Sequence, residues 1–213
     1  MGTFSKGILG GFSGKVGTVV GTTWRGIDVM RSLPKKSKKV ATATQLQQRE
    51  KFSQVSDFLN QINAVVSSYF GSDKGEKTRR NRAMSYLLKE ALTFENPDWV
   101  WNYSKVLISR GDLPGLATGN ATSTVSNALE ITWANNSDQG MALPNDKLVV
   151  VVYAESNQTA LPFLLAGKRD ETTTLVTLPA YFSGLSVQVW ATFANENDTK
   201  YATSSYLGEV VLL

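Results

Sequence analysis

The sequence predicts an α+β protein in which a glycine-rich β-hairpin precedes a helical hairpin and a C-terminal β-sandwich. Three observations predict this class. Eight of the 17 glycines fall within the first 26 residues, apolar residues recur at helical spacing between residues 42 and 94, and short β-rich runs follow from residue 98. We therefore divide the chain into regions 1–41, 42–97 and 98–213.

In the first region, residues from Lys15 to Trp24 alternate between two kinds with the two-residue period of a β-strand. Glycines and other small residues fall on one of the two predicted faces. A turn at residues 25–26 and a returning strand at 27–33 complete the predicted hairpin, which Pro34 ends. Glycine on a strand face admits a close neighbour. We therefore assign roles in packing and assembly to four residues: Gly14, Gly17, Gly21 and Trp24.

Residues 10–18, GGFSGKVGT, contain the glycines, lysine and hydroxyl of a phosphate-binding loop. Such a loop requires G-x-x-x-x-G-K-[S/T] between a strand and a helix. Here Leu9 occupies the position of the first glycine, Val16 follows the lysine, and the segment continues as a strand. The stretch therefore predicts packing glycines, and we expect no nucleotide or other cofactor.

The second region predicts two long helices between about residues 44 and 94, joined as an antiparallel hairpin. Thr42 or Thr44 caps the first helix, Gly71 ends it, and the sequence ENP at 95–97 ends the second. Each helix has one apolar stripe. The stripes are Phe52, Val55, Leu59, Ile62, Val66 and Tyr69, then Ala83, Met84, Leu87, Leu88, Ala91 and Leu92.

The third region predicts a sandwich of about seven short strands, because alternating β-branched and aromatic runs are separated by clusters of Gly, Pro, Asn and Asp. The predicted strands are 99–109, 127–134, 147–154, 161–167, 172–179, 185–194 and 204–213.

Two parts of the sequence resemble known families. LEITWANN and the later TLVTLPAYFSGLSVQVWATFANE resemble strands B, E and F of a fibronectin type III or related immunoglobulin-like sandwich over roughly residues 105–213, with Trp133 as the core tryptophan. This resemblance implies a fold and no activity. GILGGFSGKVGTVVGTTWRGIDVMRSLPKK, with TATQLQQREKF, resembles an uncharacterised family of Bacteroidetes whose members have about the length of this chain, and it implies no functional residues.

Composition argues against catalysis. The chain has no cysteine and no histidine, which excludes thiolate chemistry, Cys- or His-based zinc sites and Ser-His-Asp triads. The acids on presumed loops have no spacing that suggests an acid–base pair or an oxygen-ligand metal site: Asp138, Asp146, Asp170, Glu171 and Asp198. We therefore expect neither an enzyme nor a bound metal.

Charge is divided unevenly along the chain. Residues 1–51 carry ten Lys and Arg against two acids, whereas residues 112–213 carry four against ten. This asymmetry favours attraction to nucleic acid or between copies of the chain. The residues that would contact nucleic acid are Lys35, Lys36, Lys38, Lys39, Arg79, Arg80 and Arg82. A solvated basic loop is the favoured interpretation of the lysines, because no aromatic residue is interleaved with them.

The leading functional hypothesis is a non-enzymatic structural or assembly protein, either a homo-oligomer or one subunit of a larger particle such as a phage-derived virion. Two alternatives stay open: a nucleic-acid-associated accessory protein, and a sugar- or peptide-binding sandwich with Trp99, Trp101 and Tyr103 as an aromatic platform. No apolar run reaches the roughly 20 residues of a membrane span, and no secretory signal is evident. The expected location is the cytoplasm or a particle assembled there, without membrane contact.

Overall fold

The computed structural model of the chain describes residues 2–4, 10–24, 26–35, 39–72 and 77–213. It divides into two compact units, Met1–Thr42 and Ala43–Leu213, which we call the N-terminal and C-terminal units. The mixture of helices and antiparallel sheets that the sequence predicts is confirmed. The predicted helical hairpin and sandwich regions lie together in the C-terminal unit.

The N-terminal unit is a four-stranded antiparallel sheet whose strands lie side by side in chain order. The strands are β1 (Thr3–Phe4), β2 (Phe12–Val16), β3 (Val19–Trp24) and β4 (Ile27–Ser32). The uninterrupted strand expected from Lys15 to Trp24 is wrong, because a two-residue turn at Gly17 and Thr18 separates β2 from β3. Gly17 has φ +57°, and a positive φ at the first central position is typical of a type II′ hairpin turn.

The C-terminal unit begins with three helices instead of the two expected: α1 (Ala43–Gln61), α2 (Asn63–Tyr69) and α3 (Arg79–Glu90). The predicted first helix is interrupted at Ile62, and its apolar stripe continues across the break into α2. Thr78 caps α3, since its hydroxyl accepts a hydrogen bond of 3.2 Å from the backbone N–H of Asn81.

Strand pairing ends the last helix earlier than predicted. Residues 92–94, which we expected to be helical, belong to β5 (Leu92–Glu95), and this strand pairs with β6 (Asp98–Trp101). The side chains of Thr93 and Phe94 favour a strand, and Pro97 prevents helical continuation. Leu92 is buried, as its place in the apolar stripe predicted, although it lies in a strand instead of a helix.

Seven further strands form two antiparallel sheets. They are β7 (Ala117–Val125), β8 (Ala128–Ala134), β9 (Lys147–Ala154), β10 (Thr159–Lys168), β11 (Thr173–Thr177), β12 (Ser186–Ala194) and β13 (Ser205–Val211). One sheet has the order β10-β9-β12-β13 and the other β11-β8-β7. The long strand predicted at 99–109 is wrong, because a 3-10 turn at Tyr103–Lys105 follows β6. Strand β7, with the polar sequence ATGNATSTV, was not predicted.

The larger sheet is the middle layer of three. On one side, Val149, Val151 and Trp190 belong to a core shared with α1, α2 and α3. On the other side, Leu148, Val150 and Val189 pack in a second core with β8 and β11 of the smaller sheet. The continuous apolar run KLVVVVYA of β9 follows from this position, because a strand covered on both faces needs no polar alternation.

Candidate functional site

Two of the glycines singled out from the sequence face each other across β2 and β3. Gly14 is directly opposite Gly21 in the strand register. A Cβ atom added at Gly21 would lie 2.1 Å from the carbonyl oxygen of Phe12 and 2.7 Å from its ring. Phe12 therefore lies directly over Gly21, and no side chain fits between them. Whether Gly14 and Gly21 also act in assembly stays a prediction.

Gly17 lies in a different place from the one expected. We placed Gly17 on the same strand face as Gly21, but it lies in the hairpin turn and no described atom lies within 4 Å of a Cβ added there. Its positive φ favours glycine at this position, and a role in assembly stays a prediction. Lys15 is exposed on β2 opposite Val20, and the GGFSGKVGT stretch leads into a hairpin instead of a helix.

One face of the N-terminal sheet has an exposed apolar end. The strand register places Val20, Trp24, Ile27 and Val29 on this face, which we call the apolar face. Thr22 lies on it as well, and Lys15 and Arg31 lie on either side of Val20 at the other end. Trp24 is 49% exposed, Ile27 57% and Val29 36%. Among the residues of this unit whose burial is described, Gly21 alone is buried. The described part of the sheet thus has no hydrophobic core of its own.

Strand β4 is the edge of the same sheet. It pairs with β3 on one side, and all six of its residues are exposed. An exposed edge strand presents backbone N–H and C=O groups to which another strand can bind. The apolar face and this edge meet at Ile27 and Val29, so one surface offers both side-chain and backbone contacts.

The basic residues proposed for nucleic acid are divided between the two units, with the lysines in the N-terminal unit and the arginines in the C-terminal unit. Lys35 and Lys39 are exposed, whereas Lys36 and Lys38 lie outside the described residues. Arg80 donates a hydrogen bond of 2.5 Å to Asn60 Oδ1 and so connects α3 to α1. Arg79 donates to the backbone carbonyl of Ser68, and its guanidinium lies 5.3 Å from the centre of the Tyr201 ring. These two arginines therefore have contacts within the C-terminal unit.

Arg82 lines an open cleft of about 920 Å³ in the C-terminal unit, which we call the basic cleft. Its described lining includes five basic residues, Lys77, Arg82, Lys89, Arg110 and Lys200, and two acidic ones, Glu90 and Asp112. Sequence reasoning missed this cleft apart from Arg82, because its cations come from segments that are far apart in the chain. The spacing of Arg82 and Lys89 along one helix was the one local signal available.

The aromatic residues considered for a sugar platform pack inside the C-terminal unit. The ring of Trp101 lies 5.4 Å from that of Phe58, and the ring of Tyr103 lies 6.1 Å from that of Trp190. Trp99 Nε1 donates a hydrogen bond of 3.1 Å to the carbonyl oxygen of Gln47 on α1. Burial, with a further contribution from nearby Glu155, raises the pKa of Tyr103 well above its usual value. These rings hold the helices against the middle sheet.

Three of the scattered acids have structural partners: Asp146, Asp198 and Glu171, whose Oε2 accepts a hydrogen bond of 2.8 Å from the backbone N–H of Lys168. Asp146 and Arg169 are both fully buried, and Arg169 Nε donates a hydrogen bond of 3.0 Å to Asp146 Oδ2. The Arg169 guanidinium also donates to Asn136 Oδ1 (2.5 Å) and to the carbonyl of Pro114 (2.9 Å). Burial lowers the pKa of Arg169, and Asp146 opposes that shift. This network joins the segments that precede β7 and β9 to those that follow β8 and β10.

Asp198 is a second acid with defined partners. Its Oδ1 accepts a hydrogen bond of 2.7 Å from the Tyr69 hydroxyl and lies 2.6 Å from Lys147 Nζ. Within the described ranges, no group of three acidic side chains is arranged to hold a metal ion. Likewise, none of the described helices has the length and apolar character needed to cross a membrane.

Comparison with known proteins gives a family and a distant structural likeness. The model of a family of unknown function, DUF6266, matches residues 11–208. No curated protein matches the chain in sequence. Among solved structures, the twitchin kinase region from C. elegans is similar with a TM-score of 0.33 and 12% sequence identity. The likeness covers 46% of this chain and 17% of that chain.

Proposed function

The chain belongs to DUF6266, a family of unknown function, and we propose that it is a non-enzymatic structural protein that assembles with further copies of itself through its N-terminal sheet. The observation that carries this proposal is the exposed apolar face at Val20, Trp24, Ile27 and Val29. An antiparallel sheet normally packs one face on a core. The described residues of this sheet supply no such core.

Burial of the apolar face supplies the driving force for assembly. Fully burying a large apolar side chain contributes about 1.5–3 kcal/mol. Trp24 and Ile27 form a cross-strand pair that is roughly half exposed on both strands, so contact with a second copy would remove apolar surface from water at both positions. Contiguous exposed apolar surface is a feature of protein interaction sites.

Charge favours a second copy as the partner. The N-terminal unit carries eight Lys and Arg against one acid, whereas residues 112–213 carry four against ten. Opposite charges on two parts of one chain favour contact between the basic part of one copy and the acidic part of the next. Repetition of such a contact gives a ring or a filament.

The finer fold is also part of the proposal. When β7 to β13 are named A, B, C, C′, E, F and G in chain order, the two sheets become A-B-E and C′-C-F-G. This order supports an immunoglobulin-like sandwich of fibronectin type III kind, with Trp133 buried on strand B. An origin in Bacteroidetes, a phage-derived particle and a cytoplasmic location of assembly complete the proposal.

Light scattering on the purified full chain tests assembly. We expect the wild-type mass to be at least twice 23.3 kDa. The variant Ile27→Lys should shift this mass toward the monomer, because it places a charge directly opposite Trp24 at the apolar end of the face, where burying a charge without a partner is costly. Met30→Lys is the matched control, since Met30 is also on β4 and 67% exposed but lies on the opposite face.

Two results would overturn the proposal. One is a wild-type protein that stays monomeric at the highest concentration at which it is soluble. The other is an oligomer that Ile27→Lys and Met30→Lys affect equally, because the apolar face would then have no specific part in the contact.

Nucleic acid binding is the second candidate, and the excess of positive charge in the N-terminal unit favours it. Binding should then be weak, non-specific and strongly salt-dependent, because neutralised phosphates release counterions. Sub-micromolar binding at physiological salt, lost when Lys35, Lys36, Lys38 and Lys39 are changed to Gln, would place this candidate first. Among the described residues, no contact favours the sugar-binding alternative.

A further inference from the structure

We propose that the basic cleft of the C-terminal unit binds an acidic peptide segment of a partner protein. This site has no residue in common with the apolar face, and the proposal does not depend on assembly. The described cleft lining has five cationic side chains against two carboxylates, and its volume of about 920 Å³ is large enough for a short segment of chain.

One wall of the cleft is a single face of α3. Arg82, Ser85, Tyr86 and Lys89 all line it, and their spacings of three and four residues place them on the same side of the helix. Arg82 and Lys89 are seven residues apart, which corresponds to about 10 Å along the helix axis. A ligand lying along α3 therefore meets a cation near each end of this wall.

A second part of the lining, at Arg110 and Gly111, is held in a defined position by backbone contacts. The backbone N–H of Arg110 donates to the Tyr69 carbonyl at 2.9 Å, and the Arg110 carbonyl accepts from Gly71 N–H at 2.8 Å. A Cβ added at Gly111 would lie 2.0 Å from the Tyr201 carbonyl oxygen, so this segment lies directly against its neighbour. A cleft that is formed before binding loses little entropy when the ligand arrives.

Two cations of the cleft are available for a ligand. Lys89 and Arg110 are exposed, and across the described part of the chain neither side chain makes a hydrogen bond or an ion pair. Lys89 belongs to α3 and Arg110 to the segment that pairs with Gly71, and both line the cleft. Two separate elements therefore present a cation to a carboxylate in the cleft, and charge-assisted hydrogen bonds are the stronger kind.

The lining favours a peptide over nucleic acid. Non-specific binding of single strands relies on aromatic faces on which bases stack. Phe70 is 1% exposed and Tyr201 8%, so their rings are covered, and Tyr86 is the one half-buried aromatic residue of the described lining. Glu90 and Asp112 interrupt the positive surface and would repel a continuous phosphate backbone. A peptide tolerates them, because its N–H groups donate hydrogen bonds to carboxylates while its own acidic side chains contact the cations.

A polyproline II segment with an acid at every third residue is the best probe. Such a chain has three residues per turn and rises about 3.1 Å per residue, so residues i and i+3 lie on one side about 9 Å apart. This distance is close to the spacing of Arg82 and Lys89 along α3. The probe is a short fluorescently labelled peptide with aspartate at every third position, and its control has asparagine there.

Fluorescence anisotropy with the full chain measures binding. We expect the aspartate peptide to bind at low salt and more weakly as salt is added, with affinity reduced about tenfold or more in the double variant Lys89→Glu/Arg110→Glu. Glu90→Gln should increase affinity, because it removes a carboxylate from the cleft. Lys105→Glu is the matched control, since Lys105 is exposed and does not line the cleft.

Several results would overturn the proposal. They are equal binding of the asparagine peptide, equal loss of affinity in Lys105→Glu, or displacement of the peptide by an oligonucleotide at lower concentration than by unlabelled peptide. Circular dichroism of each variant shows whether the fold is intact, and Glu90→Gln keeps the test decisive if the double variant unfolds. Oligomeric mass is measured alongside, so a failure of assembly and a failure of peptide binding are distinguished.

Discussion

Strands β4 and β12 show how differently the two units use apolar residues. All six residues of β4 in the N-terminal unit are exposed, including Ile27, Val29 and Met30. In β12 of the C-terminal unit, eight of nine residues are buried. The same kind of residue is therefore a core element in one unit and a surface in the other. The difference suggests that the C-terminal unit is stable by itself, whereas the N-terminal sheet depends on a partner for its stability.

Replacement of one tryptophan in each unit gives the largest expected contrast. Trp190 is fully buried, and its ring lies 6.1 Å from that of Phe58 and 5.6 Å from that of Tyr206. Trp190→Ala should reduce the free energy of unfolding by about 3–5 kcal/mol, because it leaves a cavity in the core. Trp24→Ala should change the melting temperature of the C-terminal unit little and should lower oligomeric mass. Thermal unfolding and light scattering measure the two effects.

The comparison fails if the two tryptophan variants behave alike. A Trp24→Ala protein that melts as early as Trp190→Ala would show that the N-terminal sheet contributes to the stability of the whole chain. A Trp190→Ala protein of unchanged stability would show that the core around the middle sheet tolerates a large cavity.

Two glycines of the N-terminal unit give an intermediate contrast. Gly21→Ala should destabilise the sheet by about 1–3 kcal/mol, because the new Cβ would lie 2.1 Å from the Phe12 carbonyl oxygen. Gly17→Asn should be tolerated, because its Cβ meets nothing within 4 Å and asparagine adopts a positive φ more readily than other residues. Amide hydrogen exchange in β2 and β3 measures both variants.

Exchange in the C-terminal unit is the internal control for the glycine variants. Exchange there should be unchanged in both proteins, because the chain divides into two compact units and both glycines belong to the N-terminal one. If the amides of β2 and β3 exchange equally slowly in Gly21→Ala and in wild type, Phe12 moves away from the new Cβ at no cost in free energy. The close packing of Phe12 on Gly21 would then contribute nothing to stability.

Acid pH gives the smallest expected effect, and it concerns the C-terminal unit. Partial burial raises the pKa of Asp198, but hydrogen bonds from Lys147 and Tyr69 outweigh it and leave the pKa below its usual value. A lowered pKa stabilises the fold above the unfolded-state pKa of about 4, and this stabilisation is lost as the pH falls through the folded-state pKa. Since the Asp198 side chain is 45% exposed, solvent screens the ion pair and the contribution should be below about 1 kcal/mol.

The variant Asp198→Asn tests this pH dependence. At neutral pH it should be slightly less stable than wild type in chemical denaturation, and the difference should shrink as the pH falls below about 4. Asparagine also accepts the positive φ of +55° at this position. A difference that grows on acidification would contradict the assignment of the lowered pKa.

The fold was predictable where periodicity was strong. KLVVVVYA corresponds to β9 at residues 147–154, and the stripe of α1 and α2 is buried at Val55, Leu59, Ile62 and Val66. Strand β7 was missed because ATGNATSTV has one buried residue, Ala121, and so carries little apolar signal. This segment is a strand because it pairs with β8, and such pairing is not visible in the local sequence pattern.

The candidate surfaces were less predictable than the fold. The glycine pattern pointed to the N-terminal sheet, but the turn at Gly17 could not be distinguished from a continuing strand, because glycine suits both. The basic cleft was out of reach, since Lys77, Arg110 and Lys200 come together only when the helices pack on the middle sheet. The cluster of Arg79, Arg80 and Arg82 looked uniform in sequence, yet the three side chains have different contacts.

The position of the middle sheet between two layers also has a consequence for the order of folding. Phe58 on α1 packs against Tyr153 and Trp190, which are synthesised much later. The apolar stripes of the three helices can cover one another only in part until β9 and β12 have been made. Contacts so distant in sequence slow folding, because a long loop must close before they form. The nascent helices are thus the part of the chain on which a chaperone would act during synthesis.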